Sequence, residues 1–175
     1  MSKPCILFSL TLWSTFCAFA QDASQSSLRE NLRPPATQKL LFQLHAVGDQ
    51  IYTCAAAPAD KYVWTLKAPE AQLLAPDGQP FGHHFAGPTW EAKDGSRVVG
   101  KPLALAPSPD TRSIPWLLLE AVHHEGQGSM TEVLTIQRLN TKGGKPPAAG
   151  CDLSHIGSET RVPYQADYYF YGATK

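Results

Sequence analysis

The chain has 175 residues, and its 15 lysines and arginines balance 15 aspartates and glutamates, so the formal net charge is zero. That balance argues against nucleic acid as a partner, because such surfaces need a basic stripe. No basic amphipathic helix for a membrane surface is present either. The length fits one domain of ordinary size that buries a hydrophobic core.

The first twenty residues have the pattern of a secretory signal peptide. Lys3 supplies a positive start, residues 6–20 are apolar apart from serine and threonine, and Ala18-Phe19-Ala20 has the form of a cleavage site. The apolar run is shorter than the roughly 20 residues of a spanning helix, which favours cleavage after Ala20 over a membrane anchor. We therefore expect a secreted or periplasmic protein with no transmembrane segment after cleavage.

Cleavage of this leader would leave two of the four cysteines, Cys54 and Cys151. Bulky Phe16 argues against lipid attachment at the neighbouring Cys17. An isolated pair in an oxidising compartment most simply forms one disulfide. The alternative is a metal site that combines the pair with His155, which would need reduced thiols and a fourth ligand.

The first part of the mature chain predicts a lead-in followed by strands. Residues 21–37 are polar, end in Arg33-Pro34-Pro35 and predict a flexible segment. KLLFQLHAV then alternates like a strand, VGDQ has the composition of a turn, and QIYTCAA predicts the second strand of a hairpin. KYVWTLKAP is the clearest strand, with Tyr62, Trp64 and Leu66 on one face.

Turn signals separate the strands that follow. Pro76-Asp77-Gly78 divides AQLL from PFGHHFAG, and Asp94-Gly95 divides TWEAK from SRVVGKPL. PWLLLEAVHHEG fits either a helix capped by Ser113 or a buried strand, and its hairpin distance from MTEVLTIQRLN favours the strand. After a long loop around Cys151, RVPYQADYYFYG predicts a last strand, and Pro163 predicts that its first residues lie at an edge.

These segments predict an all-β fold, an antiparallel sandwich or barrel of about eight or nine short strands with little helix. The expected organisation is a signal peptide at 1–20, a flexible lead-in at 21–37 and a single all-β domain at 38–175. No internal repeat or second domain is visible.

Histidines are the first candidates for chemistry, since the six include the adjacent pairs His83-His84 and His123-His124. Neighbours in a strand point to opposite faces, so at most one member of each pair can face a given site. A site would combine one member of a pair with a carboxylate such as Glu91, Asp94 or Glu125. The alternative is that these histidines are structural groups at the edges of turns.

Sequence motifs assign no reaction. HHEGQG lacks the second histidine of H-E-x-x-H, GQGSM has the wrong order for a nucleophile elbow, and Gly143-Gly144-Lys145 lacks the spacing of a phosphate-binding loop. A disulfide between Cys54 and Cys151 would leave no free thiol nucleophile. Motifs therefore assign no catalytic residue, and we expect neither a metal nor a cofactor.

Aromatic side chains are the second candidates, either as the core or as the lining of a sugar- or lipid-binding cleft; they are Trp64, Trp90, Trp116 and the tyrosine-rich end of the chain. Trp64 and Trp116 follow apolar strand patterns, so we expect both in the core. Trp90 lies among polar neighbours, and its sequence context favours neither position.

Several strings in order resemble a secreted family known only as a domain of unknown function, number 3455. They are GDQIYTC, APEAQL, HFAGPTWEAKDGSRVVG, IPWLLLEA, IQRLNTKGGKPP with Cys151, and VPYQADYYFY. The resemblance covers nearly the whole chain from about Leu40 and implies an extracytoplasmic single domain, with no activity to carry over. His84 matches the histidine of the family motif, whereas His83 is extra.

Three functional hypotheses follow. The first is a non-catalytic module that binds a small ligand or a partner in the cell envelope, with His84, Trp90, Glu91 and Asp94 as candidate ligand-facing residues. The second is a hydrolase or metal-dependent enzyme centred on His84 with Glu91 or Asp94. The third is a purely structural envelope protein, which predicts no pocket.

Overall fold

The computed structural model describes residues 30–174 and forms one closed ring of eight antiparallel strands. The predicted all-β fold is therefore confirmed, and the architecture is a barrel. The signal peptide expected at 1–20 lies outside the described residues. The strands are β1 Gln38–Ala57, β2 Lys61–Leu74, β3 Pro80–Phe85, β4 Thr89–Ala92, β5 Arg97–Ala106, β6 Trp116–Glu125, β7 Thr135–Gly143 and β8 Glu159–Ala173.

Each strand pairs with its neighbour in sequence, and β8 pairs back with β1 to close the ring. The closing ladder runs from Gln38 opposite Ala173 to Thr53 opposite Glu159. Closure leaves the sheet without a full-length free edge, which is how up-and-down barrels avoid exposed pairing groups. Among residues 30–174, no helix has the length and apolar character needed to cross a membrane.

The hairpin predicted within residues 38–57 is wrong, because β1 continues through Gly48 and Asp49 as a single strand. Gly48 pairs with Ala71 of β2. A β-carbon at Gly48 would lie 2.2 Å from the carbonyl oxygen of Glu70. This glycine therefore permits the close approach of two strands and does not form a turn.

The main core fills the barrel with inward side chains from alternate positions of the strands. Its fully buried members include Leu44, Trp90, Ile136, Tyr168 and Phe170. The alternation predicted for the last strand is confirmed, since Tyr164, Ala166, Tyr168 and Phe170 are all buried. Pro163 also matches its prediction, because β7 begins to pair with β8 only at Tyr164, leaving the preceding residues of β8 paired with β1 alone.

A second cluster lies on the outer face of β6, where Trp116 and Leu118 are buried together with Leu32 and Ala106. The amide of Gln137 donates a hydrogen bond of 2.8 Å to the carbonyl of Leu32. Leu32, in the segment expected to be a flexible lead-in, is thus packed against the barrel wall. The core position predicted for Trp116 and the strand predicted for PWLLLEA are both confirmed.

Trp64 is not in the core, contrary to the prediction. It lies on the part of β2 that pairs only with the end of β1, and it is partly buried. Its indole N–H donates to the carbonyl of Ala149 at 3.0 Å. On the same strand Leu66 is 51% exposed, so this alternating face covers a loop at Trp64 and is not buried in the main core.

The predicted disulfide between Cys54 and Cys151 is confirmed, with the two α-carbons 5.3 Å apart. It joins β1 to the long connection between β7 and β8, which carries a short 3-10 helix at Leu153–His155. The bonded sulfurs are not free to act as the metal ligands considered in the alternative.

Candidate functional site

The two shortest strands of the ring leave a gap in the barrel wall. β3 pairs with β2 only from Ala71 to Leu74, and β4 pairs with β5 only from Arg97 to Val99. The part of β2 before Ala71 and the part of β5 after Gly100 therefore have no strand partner on this side within residues 30–174. The gap lies beside the β3–β4 turn, where Gly87 and Pro88 are located.

A cavity of about 360 Å³ opens at this gap and reaches the barrel interior. Its volume is within the range of roughly 300–1,000 Å³ that is usual for small-molecule sites. Most of the lining is apolar or aromatic. The lining residues are Gln50, Leu66, Lys67, Ala68, Pro69, His84, Gly87, Pro88, Trp90, Pro102, Leu117, Leu119, Arg138 and Tyr168.

His84 and Trp90 form the aromatic part of the cavity wall. The antiparallel register of β3 and β4 places them directly opposite each other. Their ring centroids are 4.5 Å apart, and the ring planes are inclined by 11°. Tyr168 of β8 meets both rings edge-on, at 5.2 Å from His84 and 5.3 Å from Trp90. Two of the four predicted ligand-facing residues are thus brought together.

The hydrogen bond of His84 defines its tautomer. Nδ1 lies 2.8 Å from the carbonyl oxygen of Thr89, and because a carbonyl only accepts, Nδ1 donates. Burial lowers the pKa of His84 from 6.5 to about 3, and the bond to Thr89 opposes this shift. The ring is therefore neutral near pH 7, and Nε2 has an unprotonated lone pair.

Gly100 of β5 makes room for the indole of Trp90. A β-carbon at this position would lie 2.9 Å from Cζ3 of Trp90 and 3.3 Å from Cδ2 of Leu119. Such contacts are too short for an unstrained core, so a larger residue would displace the indole. The glycine in SRVVGKPL thus fixes where the aromatic wall can lie.

Among residues 30–174, three residues of the cavity wall carry buried polar atoms that complete no hydrogen bond, although Gln50 faces Tyr164, and Tyr168 faces Tyr164 and Arg138. These atoms are Nε2 of Gln50, Nε1 of Trp90 and the hydroxyl of Tyr168. All three side chains are almost completely buried. Buried polar groups in native proteins are normally paired, so three unpaired ones around a single cavity need an explanation.

Arg138 of β7 supplies a positive charge to the same cavity. Its guanidinium donates through Nε and Nη2 to the carbonyl of Pro115, at 3.2 and 2.8 Å. Burial raises the pKa of Tyr168, and the charge of Arg138 partly opposes that rise. Among residues 30–174, no carboxylate forms an ion pair with Arg138.

Lys67 is the second cation of the lining, at the outer rim. Its ammonium group lies 2.5 Å from a carboxylate oxygen of Glu159, so its charge is compensated locally. Within the described part of the chain, the cavity lining includes no aspartate or glutamate. The interior is therefore apolar with a single uncompensated positive charge.

Glu91, a third candidate residue, lies on the outside of the barrel. Trp90 points inward, and Glu91 as its neighbour in the strand points to the other face. It sits opposite His83 in the register, and its carboxylate forms an ion pair with Arg97. The structure does not bring Glu91 to the cavity.

Asp94, the fourth candidate residue, holds two loops together. Its carboxylate accepts from the amide and hydroxyl of Ser96 at 2.9 and 2.5 Å. It also accepts from the amide and hydroxyl of Ser129 at 2.8 and 2.7 Å. The Ser96 hydroxyl is the largest influence holding the pKa of Asp94 well below its ordinary range. Asp94 is likewise absent from the cavity lining.

The remaining histidines are dispersed over the barrel. His83 is exposed, and His45 lies 2.8 Å from a carboxylate oxygen of Asp167. His124 donates to the carbonyl of Val133, and His155 contacts Asp152 in the long loop. In the described ranges, no group of three histidine, cysteine or acidic side chains could hold a metal ion.

Gln50 and Arg138 were not identified as site residues from the sequence, and Tyr168 was considered only as part of the tyrosine-rich end of the chain. Arg138 and Tyr168 lie opposite each other in the β7–β8 ladder, and closure of the ring brings Gln50 of β1 to the same cavity. The sequence feature that could have identified such residues is a polar side chain at an inward position of an alternating strand. Gln50 and Arg138 have this property, but the position becomes recognisable only when the strand boundaries are known.

Comparison with known proteins identifies one match. A family model described as "Protein of unknown function (DUF3455)" matches residues 35–79 and 75–172. No curated protein and no solved structure matched the chain significantly.

Proposed function

The chain belongs to DUF3455, a family of proteins of unknown function, and we propose that its barrel is a non-catalytic module that binds one small organic molecule. The binding site is the cavity at the gap between β2 and β5. Small eight-stranded barrels are wide enough to hold a single small ligand, which agrees with a cavity of about 360 Å³.

The observation that carries this proposal is the set of unpaired polar atoms of Gln50, Trp90 and Tyr168 around the cavity. Leaving such groups unpaired costs about 1–3 kcal/mol each, and a bound molecule with suitable oxygen atoms would supply partners. A purely structural envelope protein would need neither the cavity nor these groups. The lining thus supports binding over a structural role.

The position of the carboxylates supports binding over catalysis. The enzymatic alternative pairs His84 with Glu91 or Asp94, so one of these carboxylates would have to lie within hydrogen-bond reach of His84 or bind the same metal ion. Glu91 bonds to Arg97 outside the barrel, and Asp94 bonds to Ser96 and Ser129. His84 instead stacks on Trp90 and contributes a neutral, flat surface to the wall.

The proposed place of action is outside the cytoplasm. The disulfide between Cys54 and Cys151 supports an oxidising compartment, because cytosolic disulfides are rare. The leader-like first twenty residues point the same way. Mass spectrometry of the protein isolated from cells tests this proposal: the mature chain should begin at Gln21, and an intact Met1 would contradict it.

Calorimetric titration with naphthalene-based probes, neutral and charged, tests the binding proposal. Leu66→Trp closes the mouth of the cavity without disturbing the core, because Leu66 is 51% exposed. Leu117→Trp fills the cavity from β6. Leu153→Trp adds the same side chain at a residue that is 70% exposed on the β7–β8 connection and outside the cavity lining, and is the matched control.

At least one probe should bind the wild type and Leu153→Trp and raise the melting temperature of both. The two blocking variants should bind that probe at least about tenfold more weakly, a loss of roughly 1.4 kcal/mol. The proposal fails if no probe binds the wild type at about 1 mM. It also fails if both blocking variants bind as tightly as the control.

A further inference from the structure

Arg138 has more hydrogen-bonding capacity than the protein uses. A guanidinium has five N–H donors, and those at Nε and Nη2 converge on the single carbonyl of Pro115. No acidic side chain of the described residues pairs with it, although the other cation of the cavity, Lys67, has Glu159. Arg138, which is half-buried in the cavity wall beside Tyr168, therefore presents to the cavity a positive charge with no carboxylate partner among residues 30–174.

The neighbours of Arg138 add polar groups to the cavity wall but no second charge. Burial lowers the pKa of His84 and Arg138 lowers it further, so His84 contributes no second positive charge near neutral pH. Tyr168 and Gln50 lie in the same wall and carry unpaired buried polar atoms. The polar part of the cavity thus offers one cation and several hydrogen-bond donors to an occupant.

We propose that the occupant is a monocarboxylate with an apolar, flat body, and that the Arg138 guanidinium binds its carboxylate. This inference rests on the proposed function. Arginine matches a carboxylate because its planar fork presents parallel N–H groups to two oxygens. A phosphate dianion would be undercompensated by a single uncompensated cation in an otherwise apolar cavity.

The rest of the lining defines the body of the molecule. Trp90, Leu117 and Leu119 present aromatic and aliphatic surface, and Pro69, Pro88 and Pro102 add rigid apolar surface. Burial of such surface contributes roughly 25 cal/mol per Å² of apolar area to binding before the costs of association. A polyhydroxylated molecule such as a sugar would lose hydration in this lining without recovering its hydrogen bonds.

Three probes of nearly equal shape but different charge separate the effect of charge on binding from that of shape. They are 2-naphthoate, 2-naphthalenemethanol and 2-naphthylmethylamine. Each is titrated into the full-length mature protein by calorimetry. The variants are Arg138→Met, which removes the cation, and Arg138→Lys, which retains it without the planar fork. Arg112→Met is the matched control, since Arg112 has an 89% exposed side chain outside the cavity.

In the wild type and in Arg112→Met, 2-naphthoate should bind at least about tenfold more tightly than the alcohol, and the amine most weakly. Arg138→Met should remove the preference for the acid while leaving the affinity for the alcohol within about threefold. Arg138→Lys should retain part of the preference. If Arg138→Met does not fold, the order of the three probes on the wild type decides the outcome alone.

The inference is overturned if the alcohol binds the wild type as tightly as the acid, and the proposed function then survives. It is also overturned if a folded Arg138→Met loses acid and alcohol equally, because Arg138 would then act on cavity shape. If none of the three probes binds the wild type, both the inference and the proposed function are contradicted.

Discussion

The imidazole of His84 lies flat against the indole of Trp90, with 4.5 Å between ring centroids. Both rings are buried, and the Nδ1–H of His84 is directed to the carbonyl of Thr89. The stack is therefore built for a neutral imidazole. A proton on Nε2 would place a buried charge in the cavity wall beside the positive charge of Arg138.

The first prediction concerns acid stability. Burial lowers the pKa of His84 from 6.5 to about 3, so the unfolded chain takes up this proton before the folded chain does. The contribution to stability is complete above pH 6.5 and is lost as the pH falls toward 3. The free energy of unfolding should fall by up to about 1.4 kcal/mol per pH unit between about pH 6 and pH 4.

Urea unfolding between about pH 8 and pH 4 measures this slope in the wild type, His84→Gln and His83→Gln. His84→Gln should be less stable at pH 7 but should lose this slope. His83→Gln changes an exposed side chain and should keep it. Equal slopes in the wild type and His84→Gln would show that His84 is not the group responsible.

The second prediction concerns Gly100. Its missing side chain leaves room for Trp90, so Gly100→Ala should lower the free energy of unfolding by about 1–3 kcal/mol through overpacking. In a Trp90→Phe background, the same substitution should cost at least about 1 kcal/mol less, because the contacting indole atoms are gone. Chemical denaturation of the four proteins in this cycle measures the coupling. Additive effects would mean that Gly100 does not position the indole.

The third prediction concerns the disulfide. Cys54 and Cys151 are 97 residues apart, so their bond closes a long loop and restricts the unfolded chain. Replacing both cysteines by serine should lower the free energy of unfolding by about 2–4 kcal/mol in urea titrations. Reductant should not change the free energy of unfolding of the double variant. On reduction, the free energy of unfolding of the wild type should fall to the value of the double variant. A reductant effect that persists in the double variant would identify a different cause.

The fourth prediction separates Asp94 from ligand binding. Asp94→Ala removes the acceptor for Ser96 and Ser129, so amide hydrogen exchange should accelerate across residues 126–134. Asp77→Ala is the control, since the carboxylate of Asp77 accepts from the amide of Gln79 within its own turn. Affinity for any cavity probe should remain within about threefold of the wild type in both variants. Loss of binding in Asp94→Ala but not in Asp77→Ala would show that Asp94 contributes to the binding site.

The sequence predicted the all-β class, the disulfide, the strand over PWLLLEA and the inward alternation of the last strand. These features depend on local period and on the pairing of two cysteines. Gly48 misled the prediction because glycine has two uses in β-proteins, in turns and where strands approach closely. Trp64 misled it because an alternating pattern reports a covered face without identifying what covers it.

The cavity could be predicted only in part. His84 and Trp90 are neighbours across a short hairpin, so local reasoning found both. Arg138 and Tyr168 are partners in the β7–β8 ladder, whereas Gln50 of β1 joins them only through ring closure, and the short β3 and β4 leave the cavity open. Glu91 was selected because it is close in sequence to His84, yet strand alternation directs it outward.

Nuclear magnetic resonance of the indole N–H groups during titration with 2-naphthoate tests most directly whether the cavity is a ligand site. Trp90 lines the cavity, whereas Trp64 is outside its lining and bonds to Ala149, and Trp116 lies in the outer cluster. We expect the Trp90 signal to shift with saturation while those of Trp64 and Trp116 remain in place. An unchanged Trp90 signal at about 1 mM probe, or a shift confined to Trp64, would contradict the claim that the cavity is a ligand site.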